Sequence, residues 1–387
     1  MEFSSIKAFH TKNPADMRIL FITASLADGG AERFLSDLAI ELKDRNYRIC
    51  IVSLGTPDEK YVKRISSSGI SLLTRSASKL GYVKLFFQTI RFCQIHKPTT
   101  IQGWLYKGDI WASLVQMFFP KANLFWSIRN TSLPQKNILY RIFSSFQIAR
   151  FLSNFFRPSV ISCDLSALDY HVANGFVYKK SVVIGNAIPA RFIASPGWRT
   201  TGNQILKIGM AARMASGKGQ VELISALKIV KEESDLDFSC NLIGTGVQDN
   251  YDLKAYIEKQ QLQNQIVLEQ PKFDLLPWYL SLDLYVLASS YWEGFPNALL
   301  EAASLGVPCI ATDIGSAKLI VGERYCVKKS DERLLASKII EVLGNYSCAI
   351  NEAQSRRSEL LANYSVERIL RAYLYFWTTA DRLRSSK

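Results

Sequence analysis

Histidine is scarce in this sequence, and its cysteines are never spaced like metal ligands. Three histidines are present, and the seven cysteines include no C-x-x-C pair. Zinc sites in proteins are built from clustered Cys and His side chains, so we expect no metal site. Several cysteines stand in apolar runs, as Cys50 does in RICIVSL, which is typical of free thiols buried in a reducing, cytosolic compartment.

Membrane-spanning segments are also lacking. No uncharged apolar run reaches the ~18 residues that a helix needs to cross a bilayer. Ile19–Ala27 resembles the apolar core of a signal peptide, but Glu2 and Asp16 precede it, so we interpret it as a buried strand. A hydrophobic fraction of 48% with 21% charged residues excludes a disordered chain, and 387 residues predict two or three domains with sizeable cores.

Acidic residues are nearly missing from one long stretch. Between Lys60 and Val160, 15 Lys and Arg stand against one acid, Asp109. Residues 1–190 hold 24 basic and 12 acidic residues, whereas residues 191–387 hold 23 and 22, so the first half carries almost all of the net charge of +13. Such a field predicts an anionic partner, namely nucleic acid, an anionic membrane or a phosphorylated substrate; a solvated face without a partner is the alternative.

Apolar runs and helical spacing alternate along both halves. Arg18–Ala24 predicts a strand, Ala31–Arg45 a helix and Arg48–Leu54 a second strand. In the second half the predicted strands and helices are Ile205–Met210, Gln220–Lys231, Phe238–Ile243, Leu284–Ser289, Pro296–Leu305 and Val307–Thr312. These βαβ units predict an α/β protein with two doubly wound, Rossmann-like domains.

Composition also suggests where the domains begin and end. Residues 1–16 form an N-terminal extension, residues 17–190 the first domain and residues 191–365 the second. The boundary between the two domains falls in Ile188–Thr201, which contains two prolines and a glycine.

Two segments interleave aromatic with basic residues, Lys79–Lys97 and Asn137–Arg157. In one interpretation they are core helices whose Lys and Arg face solvent. In the other they are interfacial helices that present Arg and Lys beside Phe and Leu to a membrane. The sequence leaves both interpretations open.

Two glycine-containing turns favour phosphate binding without matching a nucleotide fingerprint. Asp28–Arg33 (DGGAER) stands before a helix start, where backbone amides attract phosphate, but it is not G-x-G-x-x-G. Arg213–Gly219 (RMASGKG) lacks the first Gly and the Ser or Thr of a Walker motif. Arg213 and Lys218 could still converge on one diphosphate, although a tight turn and two surface bases are the simpler alternatives.

The strongest signal is Tyr291–Ala302 (YWEGFPNALLEA). Glu293 follows a predicted strand, and Gly294 and Pro296 favour a turn and a helix start. The first amides of that helix would point towards an anion. Glu293 and Glu301, eight positions apart, could then both face one ligand above the strand ends, where open α/β sheets bind ligands.

These motifs together resemble the retaining glycosyltransferases of family 4, which have the GT-B fold. The resemblance rests on Glu293-x7-Glu301, on Arg213 with Lys218 and on the turn Gly29–Arg33. Further matches follow in order: WSIRNTS at 126–132, VVIGNAIP at 182–189, LIGTG at 242–246 and ATDIG at 311–315. The resemblance implies two domains that face each other across a cleft, with a C-terminal helix, 366–387, that returns to the first domain.

The resemblance also implies roles for residues. Glu293, Arg213 and Lys218 would be catalytic, with Glu293 on the transferred sugar and the two bases on the departing diphosphate. Glu301 would hold the ribose of the nucleotide, and the other donor-binding residues would be Gly294, Phe295, Pro296, Asn297, Ala298, Gly29 and Gly30. The donor would be a nucleotide-diphosphate sugar, a UDP-sugar in preference. Transfer would proceed with retention and without a metal or another cofactor.

The acceptor side departs from the family pattern. Family members often carry a His in the loop that matches residues 104–109, where Lys107 stands nearest here. We assign acceptor binding to Lys107, Asp109 and Arg129. The expected acceptor is a saccharide linked to a lipid diphosphate. The enzyme would be cytoplasmic and peripheral on the inner face of the cell membrane, where its basic half would contact an anionic surface.

Three other functions compete with this hypothesis. A GT-B-type nucleotide-sugar epimerase or phosphorylase would share the fold, but three histidines leave little acid–base machinery. A nucleic-acid-binding protein would explain the charge, but zinc-finger, RRM and KH signatures are missing, so we expect no nucleic-acid partner. A hydride-transfer enzyme would need the missing G-x-G-x-x-G.

Overall fold

A computed structural model describes residues 14–27, 29–75, 81–130, 144–197, 205–272, 274–291 and 293–380. The chain divides into two units. Unit 1 contains the described residues up to 129, then residues 144–185 and residues 367–380; unit 2 contains Asn130 and the described residues of 186–366. Each unit is built on one parallel β-sheet, so the prediction of two parallel-sheet α/β domains is confirmed.

Unit 1 has strands β1 (Arg18–Thr23), β2 (Arg48–Ser53), β3 (Ser71–Thr74), β4 (Thr100–Trp104), β5 (Asn123–Ile128), β6 (Ser159–Ser162) and β7 (Lys180–Val183). Its helices are α1 (Gly30–Asp44), α2 (Glu59–Ser67), α3 (Gly81–His96), α4 (Leu105–Gln116), α5 (Ser145–Phe156) and α6 (Leu165–Ala173). The strands form a 7-stranded sheet in the order β3-β2-β1-β4-β5-β6-β7.

The strand order decides which helices share a face of this sheet. The connections from β1 to β3 run in one direction, and those from β3 to β7 run in the other. Parallel crossovers are right-handed, so α1 and α2 cover one face and α3 to α6 cover the opposite face. In β1, Ile19 to Ile22 are all 0% exposed, as expected for a central strand covered on both faces.

Unit 2 begins with helix α7 (Ala190–Ile193) and has strands β8 (Leu206–Ala211), β9 (Phe238–Ile243), β10 (Ile266–Glu269), β11 (Leu284–Leu287), β12 (Cys309–Thr312) and β13 (Cys326–Val327). Its other helices are α8 (Gln220–Glu233), α9 (Tyr251–Lys259), α10 (Leu276–Leu280), α11 (Asn297–Ser304), α12 (Ala317–Val321), α13 (Glu332–Gly344) and α14 (Tyr346–Tyr364). The 6-stranded sheet has the order β10-β9-β8-β11-β12-β13.

The last helix, α15 (Val366–Thr379), packs in unit 1 although it follows unit 2 in sequence. The Trp377 ring nitrogen donates to the side-chain oxygen of Gln102 on β4 at 2.8 Å, and its ring lies 6.1 Å from that of Phe21 on β1. Trp377 and Tyr373 are 1% and 0% exposed. The apolar stripe of α15 therefore completes the core on the α1 side of the sheet.

Several elements differ in length from their predictions. β11 ends at Leu287, two residues before the predicted end, and α11 begins one residue late because Pro296 is its N-cap, with an extended ψ of 101°. Most of the predicted N-terminal extension lies outside the described residues, and so does the beginning of the segment Asn137–Arg157. The same is true of Asp28, Thr131, Ser132, Trp292 and residues 198–201 and 381–387. Among the described residues, no helix is long and apolar enough to cross a membrane.

Candidate functional site

The second sheet reverses its strand order between β8 and β11. The chain moves from β8 outwards to β10 on one side, and β11 to β13 lie on the other. Open α/β sheets bind ligands at the carboxyl ends of the strands that flank such a reversal. The loop after β8 contains Arg213 and Lys218, and the loop after β11 contains Glu293. The fold thus brings two distant motifs to one edge.

Lys218 and Glu293 are in direct contact there. The Lys218 ammonium donates to Oε1 of Glu293 at 2.5 Å, and the two side chains are only 16% and 15% exposed. The Ser289 hydroxyl, 0% exposed, donates to the same carboxylate oxygen at 3.1 Å. Because water screens this pair less than a surface pair, an anion that reached the ammonium would be bound strongly. Such an anion would compete with Glu293 for Lys218.

Two glycines let the loops after β8 and β11 approach so closely. At Gly217, with φ +81°, a Cβ atom would lie 2.3 Å from the Tyr291 ring. At Gly219, with φ +89°, it would lie 2.1 Å from the Ala288 carbonyl oxygen. The glycines of RMASGKG therefore serve loop packing that no side chain would allow.

The N-terminus of α11 lies directly after the Glu293 loop and has no side-chain cap. The first amides of a helix have no partner within it, and the helix dipole is positive at this end. Asn186, 4% exposed, donates its amide to the side-chain oxygen of Asn297 at 2.6 Å and to the Phe295 carbonyl oxygen at 3.4 Å. This contact fixes which way the Asn297 amide points.

Glu301 lies further along α11 and is buried, at 2% exposure. The Tyr279 hydroxyl donates to its carboxylate at 3.1 Å. Burial raises the pKa of the neighbouring Tyr285 hydroxyl, and the negative charges of Glu293 and Glu301 both raise it further. Both predicted glutamates are therefore near enough to this buried phenol for their charges to act on it.

The remaining donor-side residues surround this group. Gly294 and Phe295 are buried, and the Gly294 carbonyl accepts the Ser316 amide at 2.8 Å, so α12 holds the loop in place. Arg213 is exposed, and its carbonyl oxygen accepts a hydrogen bond from Gln220 at 3.0 Å. Arg213 therefore lies at the surface of the loop, unlike Lys218, whose ammonium is paired with Glu293.

In unit 1, α1 starts at Gly30 with Gly29 as its N-cap. The Glu32 carboxylate folds back over this start, because a Cβ atom on Gly29 would lie 2.2 Å from its Oε2. The Ser25 hydroxyl donates to Glu32 at 3.0 Å. The predicted phosphate-attracting turn therefore carries its own carboxylate, which a bound anion would have to displace.

The three residues assigned to the acceptor occupy different environments. Lys107 is exposed, whereas Asp109 is 3% exposed and accepts the Ser127 amide at 3.2 Å. Burial raises the pKa of Asp109 well above its usual range, although that amide and the Arg129 charge act in the opposite direction. A carboxyl group held in this way supports strand β5 and does not point to solvent.

Arg129 is 8% exposed and lies among aromatic rings. Its guanidinium is 4.0 Å from the ring centre of Trp104 and donates to Ser127 at 2.8 Å and to the Tyr373 hydroxyl of α15. These contacts hold the buried arginine in one position at the edge of the unit 1 sheet. In the part of the chain that the structure describes, no cluster of three His, Cys, Asp or Glu side chains could hold a metal ion.

Sequence reasoning missed the residues that support the site. Asn186, Ser289, Tyr279 and Tyr285 all contact or lie beside the predicted residues, yet none belongs to a motif of charged residues. The available signals were weak: Asn186 follows a glycine in VVIGNAIP, and Ser289 ends the apolar run LYVLAS.

Comparison with known proteins agrees with this geometry. Residues 192–359 match the family model described as glycosyl transferases group 1. The amylovoran biosynthesis glycosyltransferase AmsD of Erwinia amylovora is 22% identical over 363 residues, which is 92% of this chain and 97% of that protein. The capsular polysaccharide biosynthesis glycosyltransferase CapM of Staphylococcus aureus is 25% identical over 189 residues, so the match spans only 47% of that relative.

The whole chain also has a solved structural counterpart. HepE of Anabaena, solved in complex with UDP, has a TM-score of 0.79 and 18% identity, and the match covers 94% of this chain and 100% of HepE. HepE has also been solved with UDP-glucose. At such low identity the likeness shows the fold, which is that of GT-B glycosyltransferases. The residues that match the family model, 192–359, all lie within unit 2.

Proposed function

We propose that this protein transfers a sugar from a nucleotide-diphosphate sugar to a saccharide acceptor in surface polysaccharide assembly. The observation that carries the proposal is the partly buried pair of Lys218 and Glu293 beside the N-terminus of α11, within the domain that matches glycosyl transferases group 1. The polysaccharide glycosyltransferases AmsD and CapM support the process, and the UDP and UDP-glucose complexes of HepE support a UDP-sugar as donor.

The donor diphosphate would bind Lys218 and Arg213. In the free protein Lys218 is paired with Glu293 at 2.5 Å. A diphosphate would draw the ammonium from the carboxylate, which would then accept hydrogen bonds from hydroxyls of the donor sugar. As the sugar–phosphate bond breaks, negative charge grows on the leaving diphosphate, and the two bases with the α11 N-terminus stabilise it.

Glu301 would bind the ribose. Its carboxylate accepts a hydrogen bond from the Tyr279 hydroxyl at 3.1 Å, and a carboxylate also accepts hydrogen bonds from the hydroxyl groups of a nucleotide. In our proposal the reaction retains the configuration of the sugar, as in glycosyltransferases of family 4. The leaving phosphate takes the acceptor proton, and neither a protein nucleophile nor a metal or other cofactor takes part.

We further propose that the acceptor is a saccharide linked to a lipid diphosphate. The excess of basic residues between Lys60 and Val160 supports an anionic acceptor, with Lys107 exposed at the start of α4. Asp109 and Arg129 would act by shaping the adjoining edge of unit 1, since both are buried. The enzyme would then work in the cytoplasm, at the inner face of the cell membrane.

A donor screen by thermal unfolding tests the donor half. A ligand that binds only the folded protein raises the free energy of unfolding, by about 2.7 kcal/mol at a ligand concentration of 100 Kd, and so raises the midpoint temperature of unfolding. We expect a UDP-sugar to raise it more than NAD does, and Glu301→Ala to abolish the shift. Equal responses of wild type and Glu301→Ala would contradict the assigned ribose contact.

NMR of the product tests the reaction class. With a purified donor and a saccharide acceptor, we expect a new glycosidic signal with the configuration of the donor. Release of an epimerised nucleotide sugar without transfer would favour the epimerase, and inversion would reject the retaining mechanism.

A further inference from the structure

The outer surface of α3, α4 and α5 in unit 1 exposes large aromatic side chains. Phe87 on α3 is 68% exposed, Phe118 just after α4 is 59% exposed, and Phe151 and Phe155 on α5 are each 73% exposed. We call these four residues, with the bases Lys84, Arg91 and Arg150, the aromatic–basic face. Exposed phenylalanines in such number mark a binding surface more often than a solvated one.

The members of this face lie on one side of the sheet. The crossovers from β3 to β6 all run in the same direction, which places α3, α4 and α5 in one layer. Within that layer the Phe86 ring of α3 contacts both Phe87 and Phe118, at 6.1 and 5.8 Å between ring centres. Between α3 and α5, the outward positions Ile110 and Leu114 of α4 are partly exposed and apolar.

Each helix also has a separate buried stripe, so the exposed aromatics are not core residues that face the wrong way. On α3, Leu85 and Cys93 are 0% and 1% exposed, and on α5, Phe146 and Ala149 are 3% and 0% exposed. Both helices are thus apolar on two sides. The core interpretation and the interfacial interpretation of these segments describe opposite faces of the same helices.

The charge on this face has one sign. Lys84, Arg91 and Arg150 are exposed, and neither α3 nor α5 contains an acidic residue. Within the described ranges none of these three bases forms an ion pair. Asp109 is the one acid between Lys60 and Val160, and it is buried. The face therefore attracts anions without competition from its own side chains.

We propose that the aromatic–basic face docks on an anionic lipid bilayer, with the phenylalanines inserted at the headgroup boundary and the bases on lipid phosphates. Helices that lie in a membrane interface combine aromatic residues with Lys and Arg in this way. A bilayer fits better than a protein, because the face extends over three helices and offers no acid to the lysines and arginines of a protein partner. This inference rests on the membrane location given under the proposed function, but it does not depend on the transfer reaction.

Vesicle sedimentation of the full chain tests the proposal. We expect binding to vesicles of phosphatidylglycerol and phosphatidylcholine that weakens with added salt, and much less binding to phosphatidylcholine alone. Each basic residue near an anionic bilayer contributes about fivefold. Lys84→Glu/Arg91→Glu/Arg150→Glu should therefore bind at least about 100-fold more weakly, and Phe87→Ser/Phe151→Ser/Phe155→Ser at least about tenfold more weakly.

Matched controls come from unit 2. Tyr251 and Leu319 are 85% and 63% exposed, and Lys328 and Lys329 are exposed. Tyr251→Ser/Leu319→Ser and Lys328→Glu/Lys329→Glu should bind vesicles like the wild type. All variants should keep the wild-type unfolding midpoint and the same midpoint shift with UDP, which separates this test from that of the donor site.

Three results would overturn the proposal. Wild-type protein could fail to bind the anionic vesicles, the control variants could lose as much binding as the face variants, or the face variants could retain it. Light scattering could give a fourth such result. If the wild-type protein were a dimer, the phenylalanine variant a monomer, and neither bound vesicles, the face would be an interface between two copies of the chain.

Discussion

At the scale of single residues, the proposed chemistry depends most on Lys218. Replacing it by Ala removes the cation that would neutralise the leaving diphosphate and removes the hydrogen bond from Lys218 to Glu293. Loss of one such electrostatic group lowers kcat by about 10²–10³. We expect this loss for Lys218→Ala in a steady-state transfer assay, whereas the exposed Lys329→Ala should behave like the wild type. A normal kcat in Lys218→Ala would remove Lys218 from the mechanism.

Asn186 is a positioning residue in this scheme. It holds Asn297 at 2.6 Å and the Phe295 carbonyl at 3.4 Å, so its loss should loosen the start of α11. We expect Asn186→Ala to raise the KM for the donor several-fold with a smaller change in kcat. Asn186→Asp keeps the shape of the side chain but cannot donate, so it should have the same effect.

The control for Asn186 is the KM for the acceptor, which should stay unchanged. An equal rise of both KM values, or a wild-type KM in Asn186→Asp, would show that the hydrogen bond does not position the donor loop.

The sequence predicted charged site residues but not their supports. Glu293 and Lys218 stand out because each is a charged residue beside a glycine in a loop that follows a strand, and Glu301 stands out as a charged residue within an apolar helix. Ser289 and Asn186 are small polar residues in apolar runs, and their importance depends on partners 4 and 111 positions away. Such partners become visible only when the sheet is assembled.

At the scale of elements, α6 is joined to α4 by a buried histidine. His171 is 0% exposed. Its Nε2 lies 2.6 Å from the Tyr106 hydroxyl, and its Nδ1 lies 2.6 Å from the Ala167 carbonyl oxygen. Because a carbonyl cannot donate, Nδ1 carries the proton and Nε2 accepts from Tyr106. Burial lowers the pKa of His171 from 6.5 to about 4, so the neutral ring is the native form.

This histidine predicts an acid-sensitive fold. The unfolded chain takes up a proton near pH 6.5, whereas the native chain does so only near pH 4, so stability falls as the pH is lowered through this window. The full loss is about 3 kcal/mol. Urea unfolding between pH 7 and pH 4.5 should show a steeper loss for the wild type than for His171→Phe, which does not titrate.

His96→Gln provides the control, because His96 is only partly buried whereas His171 is fully buried. It should retain most of the wild-type pH dependence. Identical pH dependence in the wild type and in His171→Phe would show that His171 is not the responsible group.

Element bounds were predictable within a few residues, but exposure was not. Periodicity and glycine turns located β1, α1, α8 and α11 because each has one apolar pattern that matches its structure. For α3 and α5 the same patterns supported two interpretations. Which face of a helix is covered depends on neighbouring helices in the layer, and local periodicity contains no information about them.

At the scale of the whole molecule, α15 makes unit 1 discontinuous in sequence. Its Trp377 fills the core beside β1 and bonds to Gln102. Truncating a buried Trp costs about 3–5 kcal/mol. We expect Trp377→Ala to lower the free energy of unfolding of unit 1 by this amount, measured by urea unfolding. Arg371→Ala, whose ion pair with Glu367 is exposed, should cost less than about 1 kcal/mol.

An equally small effect of both substitutions would show that α15 is dispensable for unit 1.

The two-domain organisation could be predicted from the alternation of strands and helices. The return of the last helix did not follow from any local pattern in it, since an apolar stripe shows that a helix is buried but not which sheet it covers.

The split of unit 1 also sets the order in which the protein can be completed on the ribosome. Unit 2 has all its strands and helices within residues 186–364, so it can fold as soon as that segment emerges. The sheet of unit 1 is synthesised first but must wait for α15, about 180 residues later, to complete the core on the face that α1 and α2 cover. Until then that apolar face lacks the part of its cover that α15 provides.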